Sequence, residues 1–219
     1  FAEMGSINPI FLLPDKLKQS AKEVAGLYAG SITLGTGQFC TNPGLIIGID
    51  NEDLQVFIHE LGDAIKKIAP GTMLHPGIAK AYGEKRKAAL EQKEVDTVAV
   101  SEVPGKEQQG VPTVATATAR AFFNNPLLHQ EVFGPYSLVI RCANKEELQA
   151  VATHLEGQLT STLMATEKDM KDHSELVDLV QDICGRGFLN GVPTGVRVSL
   201  SMQNGGPLPA TTDSHFTSV

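Results

Sequence analysis

The stretch Gly37-Gln38-Phe39-Cys40-Thr41-Asn42-Pro43-Gly44, running straight into Leu45-Ile46-Ile47-Gly48-Ile49, decides how this chain is read. It sets one cysteine on a tight Gly/Pro-rich loop between a helix-forming run, Lys16 to Thr33, and a short apolar run bounded by turn residues. The length and flanks of Leu45–Ile49 make it a buried strand. Glycines at 35, 37 and 44 let the backbone bend and approach a ligand closely, and Asn-Pro-Gly ends the loop abruptly. A sulfur held where backbone N–H groups can point at a reacting oxygen suits covalent catalysis. A buried core cysteine is an equal reading of Cys40 at this point, because free cysteine is among the residues most often fully buried.

Outward from the loop, strands and helices alternate. Asn51 caps a helix with apolar residues at 54, 57, 58, 61, 65 and 68, ended by Pro70-Gly71. A second helix covers 77–91, and its Lys/Arg cluster at 85–87 reads as a solvated face. Val95 to Ser101 and Val111 to Ala119 are strands about a turn at Pro104-Gly105, and Tyr136 to Cys142 is another. Asn144 with Glu147 starts a helix to His154 in the manner of a capping box. A strand over 158–165, a helix from Asp172 to Cys184 and a strand from Gly187 to Asn190 follow. The Gly/Pro/Ser/Thr-rich stretch from Pro193 is loop or edge strand. This alternation predicts an α/β fold, a mostly parallel sheet covered by helices on both faces, with 1–219 as one domain.

At 219 residues and 42% hydrophobic content, such a domain buries on the order of 70% of its extended-chain surface. A net charge of −7 and a pI near 5.4 argue against nucleic acid as a partner. No apolar run reaches the ~18 residues of a membrane span. Three cysteines, at 40, 142 and 184, lack a CxxC spacing; they fit a reducing, cytoplasmic setting and argue against structural zinc. The six histidines include no i, i+4 pair, so a metal site is not expected. Cys142 and Cys184, at the ends of a strand and a helix, are core or incidental thiols.

Three motifs in order carry a resemblance. GQFCTNPG resembles the cysteine signature of the aldehyde dehydrogenase superfamily. Phe1-Ala2-Glu3-Met4-Gly5-Ser6-Ile7-Asn8-Pro9 resembles its glutamate signature, and Glu131-Val132-Phe133-Gly134-Pro135 is similar to its third motif. With the tail Asn204-Gly205-Gly206-Pro207 and Ala210-Thr211-Thr212-Asp213, the pattern looks most like 2,5-dioxovalerate (α-ketoglutaric semialdehyde) dehydrogenases. NADP-linked long-chain fatty aldehyde dehydrogenases share much of it.

The resemblance implies the C-terminal catalytic domain of that family, with the N-terminal cofactor-binding domain absent from this chain. Cys40 becomes the nucleophile that forms a thiohemiacetal and then a thioester. Glu3 becomes the general base for thioester hydrolysis, although a glutamate so near a chain end would otherwise read as solvated. Glu131 would hydrogen-bond the nicotinamide ribose hydroxyls, and Phe133 would pack near the nicotinamide, with a plain core aromatic as its other reading. The cofactor is NAD or NADP, the partner a small-molecule aldehyde, and the full-length protein a homo-oligomer. Oxidation of 2,5-dioxopentanoate would give 2-oxoglutarate, and Arg120 or Arg197 could meet the acidic substrate. The family's asparagine oxyanion donor and its nucleotide fold lie upstream, so this stretch alone is expected to be inactive. A cysteine hydrolase pairing Cys40 with a histidine and a non-enzymatic oligomerisation module are the alternatives.

Overall fold

The computed structural model describes residues 5–195, 205–207 and 210. In chain order these form β1 (Ile10–Leu12), α1 (Pro14–Thr33), β2 (Leu45–Ile49), α2 (Glu52–Lys67), β3 (Gly71–Thr72), α3 (Pro76–Leu90), β4 (Val95–Val100), β5 (Gln109–Gly110) and β6 (Thr113–Thr118). There follow α4 (Ala119–Asn124), β7 (Tyr136–Cys142), α5 (Lys145–His154), β8 (Gln158–Met164), α6 (Glu167–Asp172), α7 (Ser174–Asp182) and β9 (Cys184–Leu189). Seven strands make one sheet in the order β4-β6-β7-β2-β1-β8-β9, and β3 pairs with β5 in a small separate ribbon. Every neighbour in the large sheet is parallel except β4, which runs antiparallel to β6 at one edge. The mostly parallel sheet expected from the alternation of elements is present.

Side chains alternate across each strand, and the alternation sorts the core into two layers. Ile10 and Leu12 of β1, Ile46 of β2 and Val139 of β7 pack with Leu17, Val24 and Tyr28 of α1 and Leu54, Phe57 and Leu61 of α2. Phe11, Leu45, Ile47, Leu138 and Ile140 face the other way, toward Tyr82 and Ala89 of α3, Phe122 of α4, Leu148 and Val151 of α5 and Leu176 of α7. The predicted apolar stripe on α2 is buried at Leu54, Phe57, Ile58, Leu61 and Ile65, and Asn51 caps the helix by accepting from the Leu54 amide.

One carboxylate ties two helix starts together. Leu13 caps α1 with no side-chain bond; instead Asp169, buried, accepts from the amides of Asp15 and Lys16 at 2.9 and 2.8 Å. The same side chain accepts from the Thr166 amide at 3.1 Å, closing a capping box at α6. A negative group at two helix N-termini is favoured by the unpaired amides and by the macrodipole.

Some elements differ from the sequence expectation. The helix expected over 172–184 is α7, which ends at Asp182, and a short helix that was not expected, α6, precedes it, because Thr166 and Asp169 start a turn of helix ahead of the apolar stripe. The last strand begins at Cys184, three residues before the expected Gly187, so Cys184 opens a strand and does not end a helix. The strand expected from Val111 begins at Thr113 and gives way to α4 at Ala119, with Gln109–Gly110 pairing separately. At Asn144 the side chain accepts from the Glu147 amide, while the Glu147 carboxylate accepts from Ala143 and leaves the reciprocal bond to Asn144 unmade. Replacing Asp169 by Ala leaves three half-buried amides without their acceptor and is expected to lower unfolding free energy by about 2–4 kcal/mol, read from urea denaturation.

Candidate active site

Four chain segments meet at the N-terminal ends of adjacent parallel strands: Gly5–Pro9 before β1, Cys40–Gly44 before β2, Glu131–Pro135 before β7, and Gln158 opening β8. All three motifs singled out in the sequence therefore converge, as far as they are described. Glu3 lies outside the described residues, as do Arg197, Asn204 and Thr211 to Asp213.

Asn8 joins the segments. It is buried and sits at φ +47°, a left-handed conformation that asparagine tolerates better than most side chains. Its amide nitrogen donates to the carbonyls of Cys40 and Asn42, both at 2.9 Å. Its amide oxygen accepts from the Thr160 hydroxyl at 2.9 Å and the Thr160 amide at 3.3 Å. Gln158 supports the same strand end, its oxygen accepting from the amides of Ile7 and Asn8 at 2.9 and 3.1 Å. The Ile7 carbonyl in turn accepts from the amides of Gly44 and Leu45.

The cysteine loop also bears on the Glu131 segment. Gly35, Thr36 and Gly37 are three successive residues at φ +54°, +59° and +64°, which brings the backbone against its neighbour. A Cβ on Gly37 would lie 2.3 Å from the carbonyl carbon of Gly134. Gly134 itself is at φ +150°, and a Cβ there would strike the Tyr82 ring at 2.4 Å. The Asn42 amide donates to the Gly134 carbonyl at 3.0 Å. Asn42 thus braces the third motif. Thr36 is the outlier in the turn, a β-branched residue at positive φ, and it wedges between Gly71 and Gly110 of the small ribbon, where a Cβ would meet its side chain at 2.2 and 2.8 Å.

Cys40 is half-buried, as are Glu131 and Phe133. Two open hollows flank the Glu131–Phe133 loop: one of about 280 Å³ walled by His75, Ile78, Tyr82, Lys85 and Phe133, and one of about 420 Å³ walled by Gly5, Lys85, His129, Glu131 and Gln158. A Cβ on Gly5 would lie 2.9 Å from Oε2 of Glu131, so the first motif and the carboxylate are neighbours. Lys85 lines both hollows and donates to the Glu131 carbonyl at 3.0 Å. Arg86 reaches Val111 O and Thr113 Oγ1 and lies over the Tyr82 ring. The basic cluster at 85–87 is therefore more than a solvated face. Its spacing gave no sign of this, because the partners lie 25 to 46 residues away. Arg120 is exposed just past the C-terminal end of β6, at the end of the sheet away from these segments.

The histidines also make contacts within the fold, although His75 and His129 wall the two hollows. His129 stacks on Phe122 and meets His154 edge-on, His75 caps α3, His59 faces Asp63, and His173 is buried. No group of three potential metal ligands occurs among the described residues, and no described helix is long and apolar enough to cross a membrane. Cys142 is buried, and that burial, with Glu147 nearby, pushes its thiol up to about 12. Burial also raises the Cys184 thiol, which donates to Val180 O.

Two experiments test this geometry. Gly37→Ala forces a methyl into backbone and is expected to lower stability by more than ~2 kcal/mol. Gly26→Ala, on an exposed stretch of α1 with nothing within 4 Å, should raise it by about 0.5–1 kcal/mol; equal thermal shifts would contradict the close approach. In iodoacetamide labelling at pH 8, a thiol with a pKa of about 12 is thiolate in only about one molecule in 10⁴. Cys40 is expected to be alkylated well before Cys142, as read by peptide mass mapping.

The sequence matches the aldehyde dehydrogenase family over residues 1–184. It is 40% identical over 219 residues to alpha-ketoglutaric semialdehyde dehydrogenase 2 of Azospirillum brasilense. It is also 40% identical, over 220 residues, to alpha-ketoglutaric semialdehyde dehydrogenase of Acinetobacter baylyi. Each match takes in 100% of this chain and 42% of the relative, so the chain spans about two fifths of their length. Among solved structures, glyceraldehyde-3-phosphate dehydrogenase GapN of Methanocaldococcus jannaschii, complexed with NADP, is similar in fold over 94% of this chain and 43% of its own. The TM-score is 0.71 at 18% identity. With its three motifs gathered at one end of the sheet and the family match covering residues 1–184, this chain belongs to the aldehyde dehydrogenase family.

Proposed function

We propose that residues 1–219 are the cysteine-bearing catalytic domain of an NAD(P)-dependent aldehyde dehydrogenase whose substrate is 2,5-dioxopentanoate. The observation that carries the reading is the Asn8 amide, which binds the carbonyl of Cys40 at 2.9 Å and so fixes the thiol-bearing residue against the segment that Glu3 begins. Two relatives at 40% identity bear the name alpha-ketoglutaric semialdehyde dehydrogenase, which supports the substrate class.

The residues around Glu131 fit the nicotinamide end of a dinucleotide. Glu131 offers a carboxylate able to accept two hydroxyl hydrogen bonds, Phe133 offers an apolar face, and the two hollows flank both. A nicotinamide cofactor, when bound, supplies the acceptor for the aldehyde's hydride. The chain's own part begins with Cys40. An ordinary thiol, with a pKa near ~8.5, is only a few per cent ionised at pH 7, so the thiolate must be favoured by its surroundings. Thiolate addition to the aldehyde carbon makes a tetrahedral thiohemiacetal with charge on oxygen, and a backbone N–H near Cys40 is suited to stabilise it. The thioester left after oxidation is hydrolysed by water, with Glu3 taking the water's proton. The adenosine and phosphate contacts belong to a domain outside this chain, and without it these 219 residues do not turn over aldehyde.

Reduced nicotinamide absorbance is the direct test. The chain joined to its cofactor-binding domain is given 2,5-dioxopentanoate or a long-chain aldehyde, each with NAD and with NADP, beside Cys40→Ala. Turnover on 2,5-dioxopentanoate is expected to fall roughly 10³–10⁶-fold in the variant. Preference for the long-chain aldehyde would move the substrate to the fatty aldehyde alternative. Indistinguishable wild type and variant would remove Cys40 as nucleophile.

A further inference from the structure

A cavity of about 20 Å³ is lined by Ser6, Asn42, Tyr136 and the Glu131–Phe133 loop, with apolar side chains such as Leu45 and Leu138 making up much of the rest. Asn42 and Tyr136 are 8% and 4% exposed. Asn42 Oδ1 and the Tyr136 hydroxyl are both shielded from solvent and have no hydrogen-bond partner in the protein. The orientation of the Asn42 amide is not in question: its nitrogen must face the Gly134 carbonyl, 3.0 Å away, which can only accept. Its oxygen is thereby left pointing elsewhere. Ser6 cannot serve it, since the Ser6 hydroxyl is taken by Asn8, Gln158 and the Leu159 amide.

Two buried polar groups without partners carry a desolvation penalty that native proteins rarely leave in place. A cavity of this size has room for one water and little else. We propose that this cavity is a binding site for a single internal water, which donates to Asn42 Oδ1 and bonds to the Tyr136 hydroxyl. That water completes the contact between the cysteine segment and the Glu131 segment, adding to the direct Asn42–Gly134 bond a second link through solvent. The site does not depend on the proposed substrate or on turnover.

A crystal structure of the protein at a resolution where ordered waters are placed tests it. An isolated density peak is expected within roughly 2.6–3.2 Å of both Asn42 Oδ1 and the Tyr136 oxygen. A dry cavity, or a peak that touches neither atom, overturns the proposal. The same map of Tyr136→Phe should lose the peak or at least about half its occupancy, and a fully occupied, unmoved peak would remove Tyr136 as a ligand. Should that variant fail to fold, water–protein cross-relaxation by NMR on the wild type decides. A long-lived water signal at the Asn42 side-chain amide supports the site, and its absence overturns it.

Discussion

The carboxamide of Asn8 is the constraint on which the site depends. In a parallel sheet, carbonyls in the irregular segments that lead into the strands fall outside the regular ladder, and a buried one without a donor is expensive to leave. The carbonyls of Cys40 and Asn42 are two such groups, and one planar NH₂ serves both. Its oxygen on the far side serves Thr160. One side chain thus stitches the entries to β1, β2 and β8 into a single surface, and Asn42 and Gly134 carry the stitching to β7. The left-handed backbone at Asn8 is the strain accepted for that position.

The location of the site runs against the usual expectation for open parallel sheets, where ligands lie beyond the carboxyl ends of the strands. Here the segments that carry the motifs precede their strands. The reason is visible in the connections. The cysteine loop follows the long helix α1 and must turn sharply to enter β2. The left-handed Gly35-Thr36-Gly37 turn does this, at the amino end of the sheet. Glu131 and Phe133 likewise sit on the short run from α4 into β7. Glycine is needed twice, at Gly37 because the two loops touch backbone to backbone and at Gly134 because the Tyr82 ring lies against it.

Much of this was legible beforehand. β2, β7 and the stripe of α2 follow directly from apolar spacing, and the Cys40 loop announces itself through its glycines. The signals that failed share one cause. Lys85 and Arg86 look solvated on a helical projection because the groups they reach come from 25 to 46 residues further along. Nothing local in the sequence marks Asn8 and Gln158 as partners, since they lie 150 residues apart. β1 is three residues long, too short for periodicity to register. The start of α6 depends on a capping box whose carboxylate is also caught by α1, 154 residues earlier. Local pattern finds elements; it does not find bonds that span the chain.

Those spans bear on how the protein comes into being. The bonds that steady the cysteine loop through Asn8 reach Gln158 and Thr160, 150 to 152 residues later. A ribosome adding roughly 5–20 residues per second takes about 8–30 s to cover that distance. For the last 120 residues of that span, from Cys40 to Thr160 and about 6–24 s, the cysteine has been made while the far half of its scaffold does not yet exist. The nascent chain therefore carries an unsupported cysteine loop exposed to oxidants and to chaperones. The site closes only when the eighth strand emerges.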